Sequence, residues 1–170
     1  TVFSDGKVWP DMRVLEAAHE DLDCIAITEH LKYNKEQTRK KHPEIHGDRN
    51  RSFEIAHDAA QGSDIIVIRG AEVTQGMPPG HINAIFLSDA NIAKPDLTDT
   101  MRIAHDQGAF LFWNHPSWKS PDKKWEQDAI AQWFEIHTEL LEADILNGIE
   151  VVNGFTYSRE AHQWALDKNL

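Results

Sequence analysis

Residues 65–81 read IIVIRGAEVTQGMPPGH, and the rest of the chain is organised around them. Four apolar residues in a row, 65–68, open the stretch, with β-branched Val73 further on. Such a run reads as a strand buried on both faces, the kind found in parallel sheets covered by helices. Glu72 stands where the run ends. A Gly- and Pro-rich turn follows (Gly76, Pro78, Pro79, Gly80), and then His81, which opens a second apolar run over residues 82–87. A carboxylate leaving one strand and an imidazole entering the next can point into one cavity. That pairing suits a divalent metal, so the other segments are searched for further ligands to the same place.

Composition narrows the classes. The 170 residues are one domain's worth of chain, long enough for a sizeable core. Asp and Glu number 28 against 17 Lys and Arg, which argues against a nucleic-acid groove or an anionic membrane surface as the main partner. A single cysteine, Cys24, excludes an intrachain disulfide and a thiolate zinc knuckle; its apolar surroundings place it in the core as a small buried residue. Ten histidines are many for this length, and imidazole is the commonest metal ligand. No apolar run approaches a membrane span, and no signal-peptide pattern is present. Localisation stays open between cytoplasm and periplasm, and oligomeric state has no signature here.

Residues 1–10 are a loop built on Ser4-Asp5-Gly6. A helix is expected over 11–20, with Val14, Leu15 and Ala18 inward, and a strand over 23–28 that stops at Glu29-His30. Residues 31–50 form a long polar loop, a length that is usually functional or mobile. Helices follow over 51–61, with Phe53, Ala56 and Ala60 inward, and over 96–107, capped by Asp96 or Thr98 and ended by Gly108. Residues 109–113 read as a strand terminating in Asn114-His115-Pro116. An amphipathic helix is expected over 124–142, a strand over 148–152 and a closing helix over 158–168.

This alternation means an α/β parallel architecture, an open sheet or a barrel. Glu29-His30, Glu72 and Asn114-His115 each sit where a strand runs out, and α/β barrels build their active sites from the carboxyl ends of strands.

TVFSDG, AITEH, GAE with the later His81, and NHP, in that order, resemble the PHP family, the polymerase and histidinol phosphatase domain. Its members open with HxHTxxSDG, continue to strands ending TDH and GxE, then a His, a strand ending HP, and a closing DxH. Thr1 to Gly6 match the TxxSDG portion, so the leading HxH would precede residue 1 and the closing DxH would follow Leu170. The resemblance covers residues 1–170 as one domain and implies a distorted (β/α)7 TIM-like barrel, incomplete in this chain. It also implies up to three divalent metals (Zn, Mn or Fe) and a small-molecule phosphoester substrate. By position, Asp5 and His30 would help hold one metal. Glu72 would bridge two others, and His81 and His115 would complete the second of that pair, with Glu72 and His115 nearest the chemistry. Glu29 stands where Asp is usual and would act behind the ligands, as would Asn114. Arg49 and Arg51 are candidates for a substrate phosphate.

The expected activity is hydrolysis of a phosphodiester or small phosphomonoester by metal-activated hydroxide, since a cation lowers the pKa of water from near 16 toward roughly 7. Two alternatives stay open: a catalytically silent PHP scaffold, and an amide or lactone hydrolase on a similar metal barrel. Elsewhere plainer readings prevail. His57 and His137 lie on apolar helix faces as core-edge residues with satisfied nitrogens. His42 and His46 have ligand spacing, but Pro43 lies between them. Trp113, Trp118 and Trp125 could wall an organic group, yet packing is the default.

Overall fold

The structure is a computed structural model that describes residues 1–32, 47–118 and 131–170. Its elements are α1 (Pro10–His19), β1 (Cys24–His30), α2 (Arg51–Ala59), β2 (Ile66–Val73), β3 (Ile82–Ile85), α3 (Leu97–Asp106), β4 (Phe110–Trp113), α4 (Glu135–Glu142), β5 (Gly148–Ile149), β6 (Val152–Asn153), β7 (Thr156–Tyr157) and α5 (Arg159–Lys168). The first five strands form one sheet in the order β1-β2-β3-β4-β5, and β6 and β7 pair as a separate ribbon.

The sheet is mixed, which corrects the expectation of an all-parallel one. β1 runs parallel to β2 and β4 to β5, but β3 is antiparallel to both of its neighbours. The cause is the link between β2 and β3. A parallel return needs a crossover of roughly a dozen residues or more, and residues 74–81 are too few for one. The described residues make an open sheet with helices; no closed barrel is found among them.

Register then does the positioning. β1 and β2 pair from Cys24↔Ile66 to His30↔Glu72, so His30 lies directly beside Glu72. Across the sheet Glu72 faces Asn83, and His81, two residues earlier, belongs to the same face because side chains alternate. Reversal of β3 brings its amino end, and hence His81, to the rim where β1, β2 and β4 present their carboxyl ends. Asn114 continues the β3–β4 pairing by donating its N–H to His81 O at 2.8 Å.

The main core lies between this sheet, α3 and α4. Ile82, Leu111, Trp113, Met101, Ala104, Leu140 and Leu146 are buried in it. α3 begins where Asp96 accepts the Asp99 N–H (3.0 Å) and ends at Gly108, whose φ of +80° favours glycine. A smaller cluster joins Val14, Ile27, Ala56 and Ala60 beneath α1 and α2.

Several local expectations shift. In α1 only Val14 of the three expected residues is inward, paired with Ala17 one turn on; Leu15 is 62% exposed, and Ala18 is exposed too. A helix of this length packed on one side needs only a narrow i, i+3 stripe. β2 is buried at residues 70–73, not at its start: Ile66 is 64% exposed, and Val67 packs partly buried on the smaller cluster. Cys24, the first residue of edge strand β1, is exposed and not a core residue. The expected strand 148–152 divides after Ile149: Glu150 still gives its N–H to Trp113 O at 2.8 Å, and the chain bends at Val151 before β6 begins. The helix expected from 124 begins, in its described part, at Glu135. His42, His46, Trp125 and most of the 31–50 loop lie outside the described residues. No described helix is long and apolar enough to cross a membrane.

Candidate metal centre

Six side chains from five strand ends and one loop stand in a row along the rim. Asp5 Oδ2 lies 3.3 Å from His30 Nε2, and His30 Nδ1 lies 3.0 Å from Glu72 Oε1. The same Glu72 oxygen is 2.7 Å from His81 Nδ1, which in turn is 3.2 Å from His115 Nε2. Glu150 closes the row, its Oε2 accepting the His115 N–H at 2.6 Å. Carboxylates thus stand at both ends of the row and at its centre, with the imidazoles between them.

Electrostatics bind the row together. Burial alone would raise the Glu72 carboxyl, but the adjoining His30 and His81 imidazoles outweigh it and hold the carboxyl at about 2. Glu72 in turn pulls His30 above its ordinary value, against the opposing effect of burial, and Asp5 adds to the rise. Glu150 is also held low: burial raises it, and contacts with His115 and Asn153 more than offset that.

Hydrogen bonding does not account for the centre. Glu72 Oε1 is buried and, despite its two near nitrogens, has no aligned hydrogen-bond partner. Asn83 Oδ1 and Asn114 Oδ1 are likewise buried without one. A lone acceptor oxygen left in that state costs free energy, whereas donor atoms that share a cation naturally crowd without pointing hydrogens at one another. One donor atom each from Glu72, His81 and His115 lie within 4.8 Å of one another. Ligands about 2.0–2.1 Å from a tetrahedral cation stand roughly 3.3 Å apart, close to the 3.2 Å between the two imidazole nitrogens. The residues present therefore fit a divalent cation, and so does the Asp5–His30 pair at its own 3.3 Å.

The other sequence candidates have different surroundings. Glu29, the residue before His30, is buried and faces the N-terminal loop: Ser4 Oγ donates to its Oε2 at 2.5 Å, and Thr1 Oγ1 donates to Oε1. It anchors the loop that carries Asp5. Arg49 donates to the carbonyls of Phe3 (3.4 Å) and Leu31 (3.3 Å), tying that loop to the end of β1. Arg51 pairs with Glu54 on the exposed first turn of α2. Asn114 reaches the row through its backbone bond to His81.

Two residues of the neighbourhood, Thr74 and Glu150, have no place in the sequence reading, and a third, His137, has a larger role than that reading gives it. Thr74 Oγ1 lies 2.6 Å from His30 Nδ1; it follows the β2 strand directly, a position easily read as mere turn. Glu150 fell inside an apolar pattern, and its signal was a lone charge in the middle of that run. His137 was expected at the core edge with a satisfied nitrogen, and is fully buried with both satisfied. Its Nδ1 accepts the Phe134 N–H (3.0 Å), so the proton sits on Nε2, which donates to Pro79 O (2.8 Å). Stacked on Trp113 at 4.0 Å, this ring holds the turn that delivers His81. Gly80 completes the turn with φ +92°, where a Cβ would stand 2.9 Å from Trp113 Nε1. Replacing His137 by leucine strands the Pro79 carbonyl and the Phe134 N–H, an expected loss of about 2–4 kcal/mol. Thermal unfolding should then fall by roughly 5–15 °C, which a melting curve checks.

Comparison with known proteins gives the same direction. This chain is similar to a two-domain protein from Bacteroides vulgatus ATCC 8482 that contains a predicted PHP-like metal-dependent phosphoesterase. The two are 45% identical with a TM-score of 0.88, over 100% of this chain and 47% of that one. The chain thus spans about half the length of that protein. A protein from Bifidobacterium adolescentis ATCC 15703, described as a proposed metal-dependent phosphoesterase, shares the fold at a TM-score of 0.64. Identity there is 13%, over 100% of this chain and 82% of that one. No protein-family model and no curated protein sequence matches this chain.

Proposed function

Because the chain belongs to the PHP family, we propose that it contributes the metal centre of a phosphoesterase acting on a small-molecule phosphodiester or phosphomonoester. The observation that carries this reading is the convergence of Glu72, His81 and His115 on one point, with the Glu72 Oε1 atom buried and without an aligned hydrogen bond.

Glu72, His81 and His115 would hold one cation, and Asp5 with His30 would contribute to a second, out of the three expected at most. Glu72 is the bridging candidate, since its Oε1 faces a histidine from each side. Mixed imidazole and carboxylate donors suit Zn, Mn or Fe. Once bound, a divalent cation lowers the pKa of a water molecule and offsets the charge developing on the phosphoryl oxygens. The chain's own residues do the rest. Glu72 keeps its negative charge at any working pH because His30 and His81 stabilise the carboxylate. Glu29 and Arg49 hold the Asp5 loop against the end of β1. The barrel of the family belongs to this proposal too, and what supports it is that five strands carry their candidate ligands at one rim. The acidic surface favours a compact substrate over a long polyanion.

The test is turnover of nitrophenyl phosphate monoester and diester with Mn²⁺ or Zn²⁺ added. Cleavage of one or both supports the reading; cleavage of neither by the full-length protein overturns it.

A pH dependence follows from His30. Its raised pKa means that a proton occupies the ring at higher pH than in an ordinary histidine, and proton and cation compete for the same nitrogens. Cation affinity should therefore rise with pH and be roughly tenfold or more weaker at pH 6 than at pH 8, as calorimetric titration would show. In the metal-free protein the sign reverses. His30 stabilises the fold fully below its unfolded value near 6.5, and that contribution fades as pH rises through the higher folded value.

A further inference from the structure

We infer that Glu150 is the positioning residue of His115, fixing both its backbone and the nitrogen it turns toward the metal centre. The inference rests on the reading of His115 as a ligand and adds a residue outside the family-derived ligand set.

His115 leaves β4 with φ +30°, a left-handed conformation that a histidine needs a reason to adopt. Glu150 supplies one, accepting the His115 N–H on Oε2 at 2.6 Å. The same oxygen is 3.6 Å from His115 Nδ1. A carboxylate on that side favours the proton on Nδ1, and leaves the lone pair of Nε2 facing His81 and the rim. With a cation held on Nε2 this would become the carboxylate–histidine–metal arrangement, in which the outer group orients the ring and sets its tautomer.

Glu150 is itself held in three ways. Its N–H donates to Trp113 O (2.8 Å), Asn153 Nδ2 donates to its Oε1 (3.0 Å), and β5 ends immediately before it. The β6–β7 ribbon is therefore joined to the centre by the path Asn153, Glu150, His115. Ser158 reinforces the junction, its hydroxyl 2.7 Å from that of Ser117.

The experiment compares wild type with Glu150→Gln, which keeps the size and a carbonyl acceptor but removes the charge. Nitrogen-15 spectra of the metal-free protein near pH 8 read the His115 tautomer directly, and calorimetry with Mn²⁺ reads affinity. Wild type should show the proton on Nδ1. Glu150→Gln should shift it toward Nε2 and weaken Mn²⁺ binding by about 10–100-fold, with Glu150→Asp recovering part of the loss. Asn153→Ala, which frees Glu150 Oε1 without touching His115, should act in the same direction and less strongly, and serves if Glu150→Gln fails to fold. An unchanged tautomer, or a changed one with affinity within twofold of wild type, would overturn the inference. Wild type that binds no Mn²⁺ would instead strike the functional reading, while the tautomer result would still decide the role of Glu150.

Discussion

Glu72→Gln is expected to abolish Mn²⁺ binding at the rim and to lower kcat/KM for a phosphoester by on the order of 10³-fold or more. The size of the effect follows from position. Glu72 alone faces His30 on one side and His81 on the other, through a single buried oxygen. An amide of the same shape cannot supply the negative charge that the row is built around. The metal-free protein should respond as well, in a way that separates electrostatics from packing. Glu72 is the first cause of the raised His30 pKa, so His30 should fall back toward its ordinary value in the variant, which proton-detected titration of the ring would read. The wild-type carboxylate stabilises the fold above its unfolded value near 4.5 and loses that contribution only as pH falls through about 2. Glu72→Gln should therefore be less stable than wild type at neutral pH and approach it below pH 3.

Metal removal is expected to have the next largest effect. A cation bound to the native state and not to the unfolded chain stabilises by about 2.7 kcal/mol at one hundred times its Kd. For a chain of this size, stripping it with a chelator should lower the melting temperature by roughly 5–10 °C. Readdition of Mn²⁺ should restore both the melting temperature and turnover. The loss should be concentrated at the rim, since the candidate ligands sit at strand ends while Trp113, Ile82 and Leu111 are fully buried in the main core. Far-ultraviolet circular dichroism should accordingly change little. The same treatment applied to a His81→Ala, His115→Ala double variant should shift the melting temperature by much less, because that protein has lost two of the three converging donors.

What could be read from the chain before its structure was local and chemical. Residue types at strand ends were visible because buried strands leave apolar runs, and the polar residues that interrupt them stand out: Glu29-His30, Glu72 and Asn114-His115. The structure keeps those strand ends on one rim. Strand direction was not visible. Nothing in the apolar run of 82–87 distinguishes a parallel from an antiparallel strand, and only the short 74–81 link shows that β3 must reverse. Its reversal is what allows His81, at a strand start, to meet ligands at strand ends. Exposure was also hard to read. Cys24, Leu15 and Ile66 are apolar by type, yet a pattern cannot show which face is covered. Glu150 was hidden by its neighbours, because GIEVV satisfies a strand pattern whether or not the chain turns in its middle. Partners that act through another residue, such as Glu150 on His115 or His137 on the His81 turn, become visible only with distances.

Anomalous diffraction from crystals soaked in Mn²⁺ tests the central claim most directly. The account predicts a peak within about 2.0–2.4 Å of Glu72 Oε1, His81 Nδ1 and His115 Nε2 together. A Mn²⁺-soaked crystal with no peak there, or with peaks only at surface carboxylates, would contradict it.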